Sequence, residues 1–198
     1  MKKILINLIL QFKRLRLKRY LVFGDSCKFL KSAKINHLHG ATKDSVIIGN
    51  NVIVGGTLSV CGQGIIRMGD YSKIGEGSKL LCANEITIGS FSAIGDNTII
   101  CDNNNHPVNP KDRLIMRKTP SGSIERSWLF SDSSPIIIGE NCWIGSNARI
   151  CKGVTIGDGS IVAANTVVTK DVPANCIVAG NPGKIVKTNI EETQRYFS

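Results

Sequence analysis

An aliphatic residue recurs every six positions along most of this 198-residue chain, and a small residue usually follows it. The pattern runs through fifteen six-residue units, from Ile48-Gly49 to Val168-Thr169, with one long gap. Six residues are enough for one short strand and one corner. A β-sandwich of short strands, the alternative, does not keep one phase over so many units. The repeat therefore predicts an all-β solenoid, whose coils bury a continuous core only against their neighbours.

The phase of the repeat shows how many residues each coil contains. Gly49, Gly69 and Gly89 are 20 residues apart, whereas Gly139 and Gly157 are 18 residues apart. Three units make 18 residues, so each early coil carries two extra residues at one corner and the later coils carry none. The inward aliphatic residues should stack on their equivalents in the next coil at the spacing of paired strands, about 4.8 Å.

Two further residue types recur in step with the aliphatic residues. Small or β-branched residues occupy the fourth position after the aliphatic one, and asparagine, which tolerates a left-handed backbone, is frequent at the corners. The first set is Ser72, Ser78, Ser92, Thr98, Cys142, Ala148, Val154, Ser160 and Thr166, and the corner asparagines are Asn51, Asn97, Asn141 and Asn147. Both sets fit a narrow three-sided prism.

The repeat divides the chain into parts. Residues 28–187 form the solenoid domain, beginning with an irregular first coil at 28–47. An excursion at 102–135 interrupts it, a basic and helical arm at 1–27 precedes it, and a tail at 188–198 follows. Long irregular segments in a compact domain are usually functional, so the excursion is the first place to look for chemistry.

The positive charge is concentrated at the beginning of the chain. The net charge is +10, and residues 1–34 hold ten Lys or Arg and one acid, which leaves +1 for the rest. No base-stacking aromatic surface accompanies this charge, so a nucleic-acid partner is not expected. Apolar residues of the arm fall at helical spacing, namely Leu5, Leu8, Ile9, Phe12 and Leu15. Such a stripe is compatible with capping the open end of the solenoid and with lying on an anionic membrane surface.

The cysteines indicate a reducing compartment. There are seven, an odd number, and none forms a C-x-x-C pair, so neither a disulfide framework nor a zinc site is expected. The apolar stretch near Met1 lacks a small-residue cleavage site. We therefore expect a cytoplasmic protein, peripheral at the inner face of the membrane if the arm binds lipid.

Four motifs carry a resemblance to a known family. They are Pro135-Ile-Ile-Ile-Gly-Glu-Asn-Cys-Trp-Ile-Gly-Ser146, Gly153-Val-Thr-Ile-Gly-Asp-Gly159, Val168-Thr-Lys-Asp-Val-Pro173 and Gly180-Asn-Pro-Gly-Lys184. With the preceding coils they resemble the hexapeptide-repeat acyltransferase superfamily, specifically its sugar and polysaccharide O-acetyltransferases. The resemblance implies a left-handed parallel β-helix, a homotrimer with active sites between subunits, and acetyl-CoA as co-substrate. One departure is Gly183, where the family usually has alanine.

The same resemblance implies roles for residues of the later coils. The backbone N–H of Ser146 would bind the thioester oxygen, and Trp143 would form a wall of the pantetheine channel. Further cofactor-binding residues implied are Ala164, Thr169, Lys170 and Lys184.

The excursion supplies the candidate base. His106 lies six residues after Ile100, where the next unit would begin, and a neutral imidazole suits the removal of a hydroxyl proton near neutral pH. The family's His-Pro is present here, and it favours His106 as the base over an exposed loop histidine. Asp102 either orients the imidazole or only forms a turn. Arg113 either reaches the acceptor or is a solvated loop residue, and Trp128 either packs the loop down or stacks on a sugar ring of the acceptor.

Two other classes of protein use the same repeat. The γ-type carbonic anhydrases bind a metal through three histidines on neighbouring coils, but His37 and His39 lie more than sixty residues before His106, so no metal is expected. A catalytically inactive solenoid is disfavoured by the motifs above. The expected acceptor is a sugar of a surface polysaccharide. Gly75-Glu76-Gly77 replaces the Asn-aromatic-Asn element of enzymes for small free sugars, which with antibiotics remain the alternative acceptors.

Overall fold

The computed structural model describes residues 17–197. The chain winds into successive coils of three short strands, and the strands stack into three sheets. Sheet A contains β1 (Val22–Phe23), β4 (Val46–Ile48), β7 (Ile65–Met68), β10 (Glu85–Ile88), β13 (Ile136–Ile138) and β16 (Thr155–Ile156). Sheet B contains β2 (Lys28–Phe29), β5 (Ile53–Val54), β8 (Lys73–Ile74), β11 (Ala93–Ile94), β14 (Trp143–Ile144), β17 (Ile161–Val162), β19 (Ile177–Ala179) and β20 (Lys184–Lys187). Sheet C contains β3 (Lys34–Leu38), β6 (Thr57–Cys61), β9 (Lys79–Cys82), β12 (Ile99–Cys101), β15 (Arg149–Cys151) and β18 (Val167–Val168).

Helical segments are short and lie outside the sheets. The helix α1 (Pro110–Lys118) belongs to the excursion. Single 3-10 turns occur at Lys43–Ser45, Ile124–Arg126, Trp128–Phe130 and Ile190–Glu192. Within the described part of the chain, no helix is long and apolar enough to cross a membrane. The apolar stripe predicted for the arm lies outside the described residues.

Strand pairing confirms the solenoid. Every named strand pair is parallel except β19 with β20, which is antiparallel. The first coil begins at β1, six residues ahead of the boundary drawn at residue 28, because Val22 and Phe23 pair with Ile47 and Ile48. The aliphatic repeat does not extend into this coil, because Phe23 takes the place of an aliphatic residue. Phe23 packs edge to face on Phe29, with 5.3 Å between ring centroids.

The inward aliphatic residues form three ladders that constitute the core. Each ladder has one member per coil, and its members are at most 3% exposed. Examples are Ile48, Met68, Ile88, Ile138 and Ile156 from sheet A, and Val54, Ile74, Ile94, Ile144 and Val162 from sheet B. Burial of an aliphatic side chain contributes roughly 1.5–3 kcal/mol relative to exposure, so stability accumulates coil by coil.

The small polar residues of the second predicted set tie neighbouring coils together. They are buried, and most of their hydroxyls donate to a carbonyl oxygen of the next coil; Ser72 instead donates to Gly69 of its own coil, and Thr166 accepts from the Gly180 N–H. Ser78 donates to the Gly95 carbonyl at 2.6 Å, Ser92 to the Gly139 carbonyl at 2.7 Å, and Ser160 to the Pro173 carbonyl at 2.7 Å. A buried hydroxyl needs such a partner, and this requirement explains why serine is tolerated inside so narrow a core.

The three edges of the prism differ in sequence, and each is named by the sheets it joins. The A–B edge contains Asn51 and Asn141, the B–C edge contains Asn97 and Asn147, and all four have positive φ between 52° and 59°, as predicted. The C–A edge holds the two extra residues of the early coils, for example in the turn at Cys61–Gly64. The excursion leaves the solenoid from this same C–A edge.

Candidate active site

The excursion is inserted without disturbing the core. Its ends are joined by an antiparallel bridge between Asn103 and Ser133. On either side of it, Ile86 pairs directly with Ile136 in sheet A. Inside it, α1 starts with Pro110 at its first turn, and the Asn109 side chain caps it by accepting from the Lys111 N–H at 2.9 Å. The loop is therefore a defined structure carried on the C–A edge.

His106 lies half-buried near the start of the excursion. Its Nε2 is 3.2 Å from the side-chain nitrogen of Asn105. Its Nδ1 is buried and has no hydrogen-bond partner among residues 17–197. The Arg113 guanidinium donates to the carbonyl oxygens of Pro107, at 3.3 Å, and Val108. Arg113 thus holds the chain after the histidine in place, a role different from the predicted acceptor contact.

Asp102 is fully buried, and its carboxylate is committed to the preceding coil. It accepts hydrogen bonds from the backbone N–H groups of Ala83 and Asn84, both at 2.8 Å, and from the Asn103 side chain at 3.0 Å. These contacts favour the turn-forming role of Asp102 over orientation of His106. The carboxylate braces the corner from which the excursion departs.

Replacing Asp102 with asparagine separates these two roles. The amide would keep one acceptor and turn its own N–H₂ toward a backbone N–H, leaving a buried donor unsatisfied. We expect a loss of unfolding free energy of about 1–3 kcal/mol, measured by urea denaturation, with kcat within a few-fold of the wild type. An unchanged stability together with a large fall in kcat would contradict this assignment and restore Asp102 to the catalytic group.

The candidate cofactor residues lie mainly along the B–C edge. Trp143 in β14 is 60% exposed and pairs with Ile161 of the next coil. Ser146 and Ala164 follow in successive coils, and the Asn165 N–H donates to the Ser146 carbonyl at 3.0 Å. Thr169 and Lys170 are exposed after β18. Lys184, also exposed, begins β20 beside β18, because the Gly183 N–H donates to the Val167 carbonyl at 2.8 Å.

Carboxylates brace several other corners in a way that sequence reasoning missed. The residue after a corner glycine donates its N–H to an aspartate of the next coil: Asn50 to Asp70 at 2.7 Å, Glu76 to Asp96 at 2.9 Å, and Glu140 to Asp158 at 2.7 Å. The signal was available, because each aspartate follows an aliphatic–glycine pair one coil further on.

Ser146 is one of several corner residues without this bond, and Asp96 on the same edge is another. Ser146 follows Gly145, but the residue at the matching place of the next coil is Ala164 rather than aspartate; a Cβ added to Gly145 would lie 2.5 Å from the Ala164 nitrogen. The Ser146 N–H has no hydrogen-bond acceptor among the described residues. An outward N–H without a protein acceptor is what a developing oxyanion requires.

The two halves of the candidate site lie on different edges of one chain. Ser146 is on the B–C edge, whereas the excursion with His106 begins and ends on the C–A edge. The strand β15 (Arg149–Cys151) of sheet C lies between the Ser146 corner and the C–A edge. Leu129 of the excursion lies against Gly62, further along the C–A edge.

The remaining two histidines lie in the first coil. His37 in β3 stacks on Tyr20, with ring centroids 6.5 Å apart, and burial lowers the pKa of His37. In the part of the chain that the structure describes, no group of three or more His, Cys, Asp or Glu side chains is arranged to hold a metal ion.

Comparison with known proteins places these features in a family. The hexapeptide-repeat family, described as the hexapeptide repeat of succinyl-transferase, matches residues 135–170. The chain is 31% identical to the putative colanic acid biosynthesis acetyltransferase WcaF of Escherichia coli K12, over 73% of this chain and 70% of that protein. It is 30% identical to the putative lipopolysaccharide biosynthesis O-acetyl transferase WbbJ of the same strain, over 71% and 69%.

A solved structure shows the same architecture. The hexapeptide-repeat-containing acetyltransferase VCA0836 of Vibrio cholerae superposes with a TM-score of 0.60 and 26% identity, covering 89% of this chain and 79% of that one. The same acetyltransferase has also been solved in complex with acetyl coenzyme A. The fold of the present chain is accordingly the left-handed parallel β-helix, as expected.

Proposed function

Since the chain belongs to the hexapeptide-repeat acyltransferases, we propose that it transfers an acetyl group from acetyl-CoA to a sugar hydroxyl of a surface polysaccharide or its precursor. The observation that carries the proposal is the Ser146 N–H, which has no acceptor among the described residues and lies on the same edge as the exposed Trp143. The relatives named for colanic acid and lipopolysaccharide biosynthesis support a polysaccharide acceptor.

The chemistry follows from the two groups of residues. Nε2 of His106 takes the proton of the acceptor hydroxyl as its oxygen bonds to the thioester carbonyl carbon. The Ser146 N–H donates to the resulting oxyanion. When the intermediate collapses, the carbon–sulfur bond breaks, and the proton held by His106 goes to the departing thiolate. The products are an acetyl ester and free coenzyme A, with all atoms accounted for.

The B–C edge has the chemistry that acetyl-CoA binding requires. Trp143 offers an exposed aromatic surface beside the Ser146 corner, and small Ala164 leaves the neighbouring coil open. Lys170 and Lys184 are exposed cations near the end of the solenoid, suited to the phosphates of coenzyme A. Acetyl-CoA supplies an activated acyl carbon, and the residues named here bind and orient it.

The direct test is transfer to defined acceptors. We expect thiol release from acetyl-CoA to be stimulated by oligosaccharides of bacterial surface glycans, and mass spectrometry to find an O-acetyl ester on the sugar. Small free sugars and aminoglycoside-type antibiotics serve as the alternative acceptors. If only these alternative acceptors stimulate thiol release, the acceptor is not a polysaccharide. If no acceptor of either kind stimulates thiol release, the proposed function is wrong.

We also propose that the active enzyme is a homotrimer whose sites are shared between chains. The separation of His106 and Ser146 on two edges supports this, because pairing the C–A edge of one chain with the B–C edge of the next would complete the site. In a closed arrangement of this kind that packs sheet A against sheet B, the A–B edge faces the threefold axis.

An aromatic pair on the A–B edge supports the same assembly. Tyr71 and Phe91 are 57% and 59% exposed and stack with 5.3 Å between ring centroids and 8° between ring planes. Both have positive φ, 58° and 63°, at the position that Asn51 and Asn141 occupy in the adjacent coils. A left-handed conformation costs a non-glycine residue roughly 1–2 kcal/mol, so burial between copies would offset a real strain.

The trimer is tested with the double variant Tyr71→Asn, Phe91→Asn. Asparagine already occupies the equivalent position in the two adjacent coils, as Asn51 and Asn141, so each variant chain should fold. Light scattering should give a trimer for the wild type and smaller species for the variant, with a matching loss of transfer. A fully active wild-type monomer would overturn the proposal.

Finally, we propose that the N-terminal end of the solenoid docks on an anionic membrane surface. A cavity of about 570 Å³ opens there between Tyr20, Phe29, Leu30 and their neighbours. Lys31 lines it, and four further exposed cations are neighbours in sequence of its lining residues, namely Lys18, Arg19, Lys28 and Lys34. Apolar burial combined with charge attraction is the usual basis of peripheral binding.

Vesicle sedimentation tests the membrane proposal with matched charge changes. The variant Lys18→Glu, Arg19→Glu, Lys31→Glu should lose binding to vesicles rich in anionic lipid at low salt. The control Lys111→Glu, Arg117→Glu, Lys118→Glu makes the same change in charge on exposed positions of α1 and should still bind. If the wild type never sediments with such vesicles, the end of the solenoid is a closed structural cap instead.

A further inference from the structure

A chain of two hydrogen bonds connects Trp128 to the candidate base. The indole Nε1–H of Trp128 donates to Oδ1 of Asn105 at 2.7 Å. The side-chain nitrogen of the same asparagine lies 3.2 Å from Nε2 of His106. Trp128 is 23 residues from Asn105 in sequence, so the contact depends on the folded excursion.

The donors and acceptors in this chain fix the state of the imidazole. An indole nitrogen can only donate, so it requires the oxygen of the Asn105 amide on its side. The amide nitrogen, which also only donates, must then face His106. Nε2 is therefore the acceptor, and the neutral imidazole carries its proton on Nδ1.

The surroundings of the ring determine which nitrogen is available for catalysis. Nδ1 is buried and has no partner among residues 17–197, so the acceptor hydroxyl approaches Nε2 instead. Asn105 is exposed, and its 3.2 Å contact is longer than an average hydrogen bond. An acceptor hydroxyl can take the place of that contact and meets a lone pair that is already in position.

Asn105 itself is held from two sides. Its φ is +65°, a conformation that asparagine tolerates better than most residues, and its backbone N–H donates to Oδ1 of Asn103 at 2.9 Å. Trp128 is in turn fixed by the 3-10 turn Trp128–Phe130, whose carbonyl at Trp128 accepts from the Ser131 hydroxyl at 2.9 Å.

We propose that Trp128 is a positioning residue that acts through Asn105 to hold His106 in the tautomer with an unprotonated Nε2. This inference rests on His106 being the base, and it assigns Trp128 a role other than contact with the sugar. The consequence for the reaction is that the base does not have to change tautomer before each turnover.

Nitrogen NMR of histidine-labelled full-length protein tests the tautomer without any substrate. With the imidazole in its neutral form, the wild type should show a protonated-type shift for Nδ1 and an unprotonated-type shift for Nε2. Trp128→Phe removes the indole N–H together with the ring that carries it and leaves an aromatic ring in place. The Asn105 amide can then turn over, so both tautomers should be populated. Signals of His37 and His39 serve as internal references for the fold.

A second variant leaves the tryptophan in place. In Asn105→Asp, one carboxylate oxygen still accepts from Trp128, while the other accepts from the imidazole and forces the proton onto Nε2. We expect kcat to fall by about 10–100-fold in this variant and by about threefold to tenfold in Trp128→Phe, with the KM for acetyl-CoA unchanged. Phe130→Leu serves as the control, because Phe130 is an exposed residue of the same turn. This variant should change neither the tautomer of His106 nor kcat.

The outcomes distinguish this proposal from the failure of the proposed function. If the wild type and Trp128→Phe show the same single tautomer, and Asn105→Asp does not move the proton, the positioning role is wrong whatever the enzyme transfers. If the tautomers change as described while no acceptor is found, the relay stands and the reaction needs a different acceptor.

Discussion

Replacing His106 with alanine is expected to lower kcat by about 10²- to 10⁴-fold, the usual contribution of a positioned acid–base group. Acetyl-CoA binding should survive, because the residues assigned to it lie in the later coils and His106 lies in the excursion. Steady-state kinetics and calorimetric titration with acetyl-CoA measure the two effects separately.

His39→Asn is the matched control for this experiment. His39 is an exposed histidine in the first coil with φ of 49°, a conformation that asparagine adopts readily. The kcat of the His39→Asn variant should equal that of the wild type. Turnover of His106→Ala close to the wild-type rate would remove His106 from the reaction and leave the excursion without a base.

A carboxylate placed at residue 164 should block the site while preserving the fold. In Ala164→Asp the new side chain would accept the Ser146 N–H, as Asp96 accepts that of Glu76 at 2.9 Å. The variant would occupy the donor and add a negative charge where the oxyanion develops. Removal of one such donor costs about 10²–10³ in kcat, and we expect a loss of at least that size.

Ala174→Asp provides the corresponding change on another edge. Ala174 lies next to Gly157 in the following coil, just as Ala164 lies next to Gly145. A Cβ added to Gly157 would lie 2.4 Å from the Ala174 nitrogen. This variant leaves the Ser146 N–H untouched, so its trimer, verified by light scattering because the A–B edge faces the threefold axis, should keep full activity. Both variants should unfold at about the wild-type temperature. Activity of Ala164→Asp within about twofold of the wild type would show that the Ser146 N–H does not bind the oxyanion.

Most of the fold was predictable because one local rule governs every coil. A narrow prism forces an aliphatic residue inward every six positions, so the ladder from Ile48 to Ile156 can be read directly from the sequence. The rule fails in the first coil, where Phe23 and Phe29 pack on each other, and the sequence boundary fell six residues late. Phe23 and Phe29 also pack against the core, but their rings are larger than aliphatic side chains and do not follow the six-residue pattern.

The candidate site was only partly predictable, because its geometry depends on contacts between distant segments. His106 stood out at the break in the repeat, and the family motif singled out Ser146. The contact of Trp128 with Asn105 was not foreseeable, since nothing in the sequence relates the two positions. Arg113 and Asp102 were candidates for the chemistry; their hydrogen bonds in the structure hold the loop and its corner, and a part in the reaction stays a prediction.

The direct pairing of Ile86 with Ile136 across the excursion has a consequence for how such enzymes diversify. Packing of the core does not depend on the length of the segment between them. The entropic cost of closing a loop also rises only slowly with loop length. Insertions, deletions and exchanges within 104–132 can therefore accumulate without loss of the prism, provided that the Asn103–Ser133 bridge is kept. Under the proposed function, acceptor preference would evolve in that segment, while the acetyl-CoA site proposed on the rigid later coils stays constant.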